Sequence, residues 1–237
     1  MIPVLHAEWG KLCSLRSPWI CLVAAALLVP VTAYTLANDF VYDIDQGRLA
    51  DGTTRPSLDF LGSSMQFGLA MFIAFTMLTI TSEYATGSIR STLLAEPRRV
   101  RVLMAKSVVV SAIAAVTGAV VGLASYELVA FILGDHAAGE TSAIAVLARS
   151  GVLVGLASIL VCGVAALVRS SVGTLATSFG ILVGMLAIPE PLGPWLPAQA
   201  GADWLSGVGA GRALGVLVAW AAVAWIAGWY ALERRDA

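Results

Sequence analysis

Apolar residues run along this chain in long unbroken stretches, not in the strict alternation of half-buried strands or the narrow stripes of soluble amphipathic helices. Six stretches come close to or exceed the about 20 residues that a helix needs to cross a bilayer. They cover 18–37, 63–82, 104–133, 144–168, 172–188 and 208–232. The third is long enough to tilt or project, and the fifth stops at Pro189. The pattern predicts an all-α, polytopic membrane protein, a single domain over 1–237 with six transmembrane helices. Six crossings put both ends of the chain on the same side.

Ahead of the first run, Ile2, Leu5, Trp9, Leu12 and Cys13 recur at helical spacing, while His6, Glu8 and Lys11 point elsewhere. Pro3 is well placed for a first turn, so 2–16 reads as an amphipathic helix lying in the membrane interface. The first polar loop, 38–62, holds the breakers Gly47, Gly52 and Pro56. A later loop, "PEPLGPWLPAQAGADWLSG", combines four prolines with two tryptophans and is expected to form short interfacial or re-entrant helical pieces. Glycine pairs at four-residue spacing, Gly118/Gly122, Gly151/Gly155, Gly180/Gly184, Gly207/Gly211 and Gly211/Gly215, read as close helix packing.

Composition agrees: 59% of residues are hydrophobic and only 12% charged, where a soluble domain carries about 25%. The formal net charge of -1 hides a strong polarity, because cytoplasmic flanks retain Lys and Arg. With the N-terminus inside, the inner segments hold Lys11, Arg16, Arg90, Arg98, Arg99, Arg101, Lys106, Arg169, Arg234 and Arg235. The outer segments hold only Arg48, Arg55, Arg149 and Arg212, among many acids. Both termini are therefore expected in the cytoplasm. No basic domain is present to bind nucleic acid. Cys13, Cys21 and Cys162 fall in the inner flank and in spans, which gives no extracellular disulfide framework. The first run is too long, and its lead-in too extended, for a cleaved signal peptide.

The residues of an enzyme site are missing from the sequence pattern. The two histidines, His6 and His136, lie in separate flanks, and no phosphate-binding Gly-x-x-x-x-Gly-Lys-Ser/Thr loop occurs. "DGTTR" at 51–55 only half-resembles the motif of lipid-headgroup transferases and lacks the downstream acids. Within the runs the one acid is Glu127, toward the outer part of the third. An acid there reads as functional, or as a carboxylate facing interfacial water or Arg149. Thr76 and Thr79 on the second span, and Thr174 and Ser178 on the fifth, are candidates for lining a path or for hydrogen bonding between helices.

Between the second and third runs stands "EYATGSIRSTLLAEPRRVR", from Glu83 to Arg101. Thr86 is suited to cap a short helix that Pro97 must end, with Ile89, Leu93 and Leu94 as an apolar ridge. Such a helix suits docking into a partner's groove. The arginines that follow are placed to meet lipid phosphates or the ends of spans.

Glu83, Gly87, Ile89 and Arg90, followed by Pro97, Arg98, Arg99, Arg101 and Lys106, resemble the inner loop of type-2 ATP-binding cassette exporter permeases. "AEWGKLCSLRSPW", with Glu8, Trp9, Lys11, Leu12 and Arg16, is similar to their opening interfacial helix, and the likeness extends to "WLPAQAG" and "ERRDA". Ser88 stands where relatives often have Thr, which keeps the hydroxyl. The resemblance implies a bacterial plasma-membrane subunit that exports a hydrophobic or amphipathic compound such as a drug, antibiotic, peptide or lipid. It implies a second permease, identical or related, and separate ATPase subunits, with no cofactor held by this chain. Glu83, Thr86, Gly87, Ile89, Arg90 and Leu93 would then belong to a cytoplasmic coupling helix seated in an ATPase cleft. Trp9, Lys11, Arg16, Arg98, Arg99, Arg101 and Lys106 would anchor the chain at the lipid interface. The second and fifth spans would border the transport path. An ion-coupled carrier built around Glu127 and a membrane enzyme are the alternative readings. Few lysines and abundant Ala, Gly, Val and Arg point to a GC-rich bacterium.

Overall fold

The computed structural model describes residues 2–50, 52–89, 92, 94, 96, 98–139, 141–189 and 191–234. It is all-helical, 86% helix, with no strand among the described residues. In chain order the helices are α1 (Ile2–Ser14), α2 (Arg16–Asp45), α3 (Ser57–Thr86), α4 (Arg99–Leu133), α5 (Ala143–Val168), α6 (Ser171–Leu182), α7 (Pro197–Ser206) and α8 (Ala210–Arg234). Five of them, α2, α3, α4, α5 and α8, are long and apolar enough to cross a membrane. This is the architecture of a helical membrane protein.

The fifth expected run differs. Its helix α6 has 12 residues, about 18 Å at 1.5 Å per residue and well short of the hydrocarbon core. The backbone leaves helical geometry at Val183 (φ -126°, ψ -50°) and continues as a 3-10 turn over Gly184–Ala187. Glycines at 180 and 184 weaken the helix there, and Pro189 cannot extend it. Short helical pieces then follow at Gly193–Trp195 and in α7.

The first polar loop is shorter than the hydropathy boundary indicates, because α2 continues through Asn38 to Asp45 and α3 begins at Ser57, directly after Pro56. Residues 38–45 contain neither Gly nor Pro, and they prolong one apolar face. Ala37, Phe40 and Ile44, at helical spacing, pack with Phe60, Val129 and Leu133. The Phe40 and Phe60 rings are 5.6 Å apart. Gly47, at φ +66°, turns the chain where a side chain would be strained.

α3 and α5 form the middle of the bundle: 67% of the most apolar window of each is buried, against 28% in α2 and α8 and 33% in α4. Their hydroxyls serve the packing. Thr76 Oγ1 donates to Ser158 Oγ at 3.2 Å, and Ser171 Oγ donates to Thr81 Oγ1 at 2.8 Å. Small residues let the backbones approach. The pairs Gly118/Gly122 and Gly151/Gly155 face each other across α4 and α5, where added Cβ atoms would crowd Val154, Ser150 and Ala115. Gly163 of α5 meets the backbone of Ala224 on α8 and is itself met by Gly228. Gly180 and Gly211/Gly215 have nothing within contact distance, so their spacing has no packing role within this chain.

Candidate functional site

α1 carries Glu8 and Leu12 one turn apart, and both are buried. Lys11 is adjacent on the same side. Glu83 lies on the last turn of α3, which ends when Gly87 adopts the left-handed conformation at φ +72°. Lys106 lies two turns into α4. These three helices converge so that the four charged groups close a ring. Lys11 Nζ is 2.7 Å from Glu8 Oε1 and 3.1 Å from Glu83 Oε1. Lys106 Nζ is 2.5 Å from Glu8 Oε2 and 2.9 Å from Glu83 Oε1. Two acids and two bases sum to zero, which is how charges are tolerated away from water. Three of the four side chains are buried, while that of Lys11 is 37% exposed.

Lys11 also donates to Thr92 Oγ1 at 3.0 Å, and Thr92 in turn donates to the Ser88 carbonyl. The ring therefore holds the segment between α3 and α4 as well as three helices. The backbone bonds Thr92 N to Ser88 O and Glu96 N to Thr92 O give this segment helical turns.

Several sequence expectations change here. Thr86 does not cap the connecting helix: it is the final residue of α3, and its hydroxyl donates backward to the Ser82 carbonyl at 2.9 Å. Ile89 is buried, not on a docking ridge, and adjoins a small cavity of about 20 Å³ with Ile80, Tyr84, Leu103 and Leu232. Leu94 is the outward apolar residue, 84% exposed. Arg90, Leu93 and Pro97 lie outside the described residues.

Lys106, expected to anchor at lipid, is instead inside the bundle, because Glu8 and Glu83 provide its counter-charges. Trp9 is half-exposed and turned away from the ring, with Leu5 and His6 beside Val108 and Ile113 of α4. Arg16 and Arg98 are exposed. Arg99 reaches the end of α8, its Nη1 donating to the Leu232 carbonyl at 2.7 Å. Arg169, at φ +56°, places its guanidinium over the Tyr84 ring at 5.6 Å and donates to the Ala231 carbonyl at 3.5 Å. Two arginines thus cap the carbonyls at the C-terminal end of α8, where positive charge is favoured.

No protein-family model matches the sequence, and no curated protein is significantly similar to it.

Thr76, Thr79, Thr174 and Ser178 are all buried within the bundle, where α3, α5 and α6 pack together. Thr79 donates to the Phe75 carbonyl at 2.8 Å. Glu127 is exposed on α4 and does not meet Arg149, whose Nη1 donates to the Leu205 carbonyl at 3.2 Å. The Trp204 indole returns a bond to the Arg149 carbonyl at 2.8 Å, so Arg149 fastens α7 onto α5. Among the described residues no group of His, Cys, Asp or Glu converges as a metal-ligand set.

Thr92 and the pairing role of Glu8 were not readable as a site from the chain alone. One signal was available: Lys106 stands at the start of a long apolar run, and a charge so placed needs a partner or a function. The ring's contacts tie α1 to the ends of α3 and α4 and, through Thr92, to the segment between them.

Proposed function

We propose that this chain is the membrane-spanning permease subunit of an ATP-binding cassette exporter. In this reading six crossings, α6 with its following turn being the short one, place both termini in the cytoplasm of a bacterial cell. ATP is hydrolysed by separate subunits, and a second permease completes the path for a hydrophobic or amphipathic compound.

The supporting observation is the Glu8–Lys11–Glu83–Lys106 ring with Thr92 attached. A partner that pushes the segment around Leu94 would displace α1, α3 and α4 as one body, because breaking the ring exposes buried charges to a medium that cannot solvate them. The sequence brings no phosphate-binding loop of its own, so the energy enters through such a partner.

The test is co-expression with candidate cassette ATPases, capture through a tag on this chain, and ATP hydrolysis in proteoliposomes with hydrophobic compounds added. Co-purification with compound-stimulated hydrolysis supports the reading. Transport driven by a proton gradient with no ATPase present, abolished by Glu127→Gln, would replace it with an ion-coupled carrier. Lipid or peptide turnover by the purified chain alone would make it an enzyme.

A further inference from the structure

A groove open to the outside of the bundle runs between α4 and α8, with α5 as its floor. One half, about 520 Å³, is bordered by Met104 and Val108 on one wall and by Val218 and Ile226 on the other. It continues past Ser111 and Val218 into a second half of about 570 Å³, which extends as far as Ala119. The depth has a sequence cause: small residues on α4 and Gly151 and Gly155 on α5 leave the space between larger side chains unfilled. Among the described residues no charged side chain lines either half.

From Met104 to Ala119 the groove is about 22 Å long at 1.5 Å per residue. One leaflet of hydrocarbon is about 15 Å deep. An acyl chain entering at the Met104 end is therefore accommodated over its whole path through its own leaflet.

The Met104 end is charged. Arg101, Met104 and Val108 follow one stripe of α4 at i, i+3 and i+7, which puts Arg101 one turn beyond the mouth. Arg101 takes part in no ion pair among the described residues. It sits in the first turn of α4, where the helix dipole adds to its attraction for an anion. The exposed Arg98 is adjacent. On the opposite wall the carbonyl of Leu232 accepts from Arg99, and Glu233 is the one acid in α8.

From this apolar channel ending beside a basic side chain that has no ion pair among the described residues, we infer that the groove is a binding site for an anionic phospholipid. One acyl chain lies between α4 and α8, and the phosphate rests on Arg101. The inference needs only a membrane setting and does not depend on the transport reading.

Native mass spectrometry of the detergent-purified chain, titrated with phosphatidylglycerol or phosphatidylcholine of matched chains, tests it. The wild type is expected to retain phosphatidylglycerol preferentially. Arg101→Ala should weaken that lipid about fivefold and leave phosphatidylcholine unchanged, while Arg101→Lys keeps most of the preference. Ala222→Trp, at an exposed position on the α8 wall, should fill the groove and reduce retention of both lipids in a protein that stays folded and monodisperse. Equal retention of the two lipids by the wild type, or an unchanged preference in Arg101→Ala, overturns the proposal. So does Ala222→Trp changing the oligomeric mass while lipid retention is unaltered, which would assign the groove to a second copy of the chain.

Discussion

Lys106 on α4 contacts Glu8 on α1 at 2.5 Å, joining residues almost one hundred positions apart at the start of a long apolar run. Together with Glu83 and Lys11 they make a neutral cluster in which each buried charge meets an opposite one, Glu83 through its Oε1 alone.

Lys106→Met should therefore lower stability by about 3–5 kcal/mol, since it leaves two buried carboxylates facing only Lys11. Lys11→Met removes the more exposed of the two bases and should cost less than Lys106→Met, though it too leaves the buried carboxylates facing a single lysine. Thermal unfolding in detergent distinguishes them. Combining Glu83→Gln with Lys106→Met should cost less than the two singles added, by about 0.5–3 kcal/mol. Strict additivity would mean that the 2.9 Å contact carries no coupling.

The connecting segment offers a cleaner test of docking than the sequence ridge did. Ile89→Asp buries a charge and should cost about 3 kcal/mol, so any loss of partner capture would be ambiguous. Leu94→Asp, on the outward side, should change stability by less than about 0.5 kcal/mol. If Leu94→Asp captures an ATPase as well as the wild type does, the segment is not the contact.

Gly163→Ala drives a methyl into the Ala224 carbonyl and should destabilise by about 1–3 kcal/mol, prising α8 from α5. Gly180→Ala meets nothing and should be neutral or stabilising by up to about 1 kcal/mol. Unfolding temperatures that fail to separate the two would contradict the close α5–α8 approach.

Cys13 is an exposed free thiol on α1, whereas Cys162 is buried. An impermeant maleimide should label Cys13 in inside-out vesicles and not in intact cells. Labelling from the outside of cells would reverse the proposed sidedness.

The sequence by itself determined that the chain is helical and membrane-embedded, because unbroken apolar runs leave the backbone no other way to satisfy its hydrogen bonds in lipid. It also singled out Glu83 and Lys106 through the family resemblance, the first for coupling and the second for anchoring at lipid. It misplaced the ends of α2 and α3, since amphipathic turns such as Asn38–Asp45 continue a helix beyond the point where hydropathy falls. Glycine spacing picked out the α4–α5 contact and missed Gly163 with Gly228, which lie on different helices and share no local pattern. Tertiary structure alone decided that Ile89 points inward, that Thr86 belongs to α3, and that Lys106 finds Glu8. For Ile89 and Lys106 the reason is shared: each depends on which faces of distant helices meet, and in a chain apolar on nearly every face, periodicity does not reveal that choice.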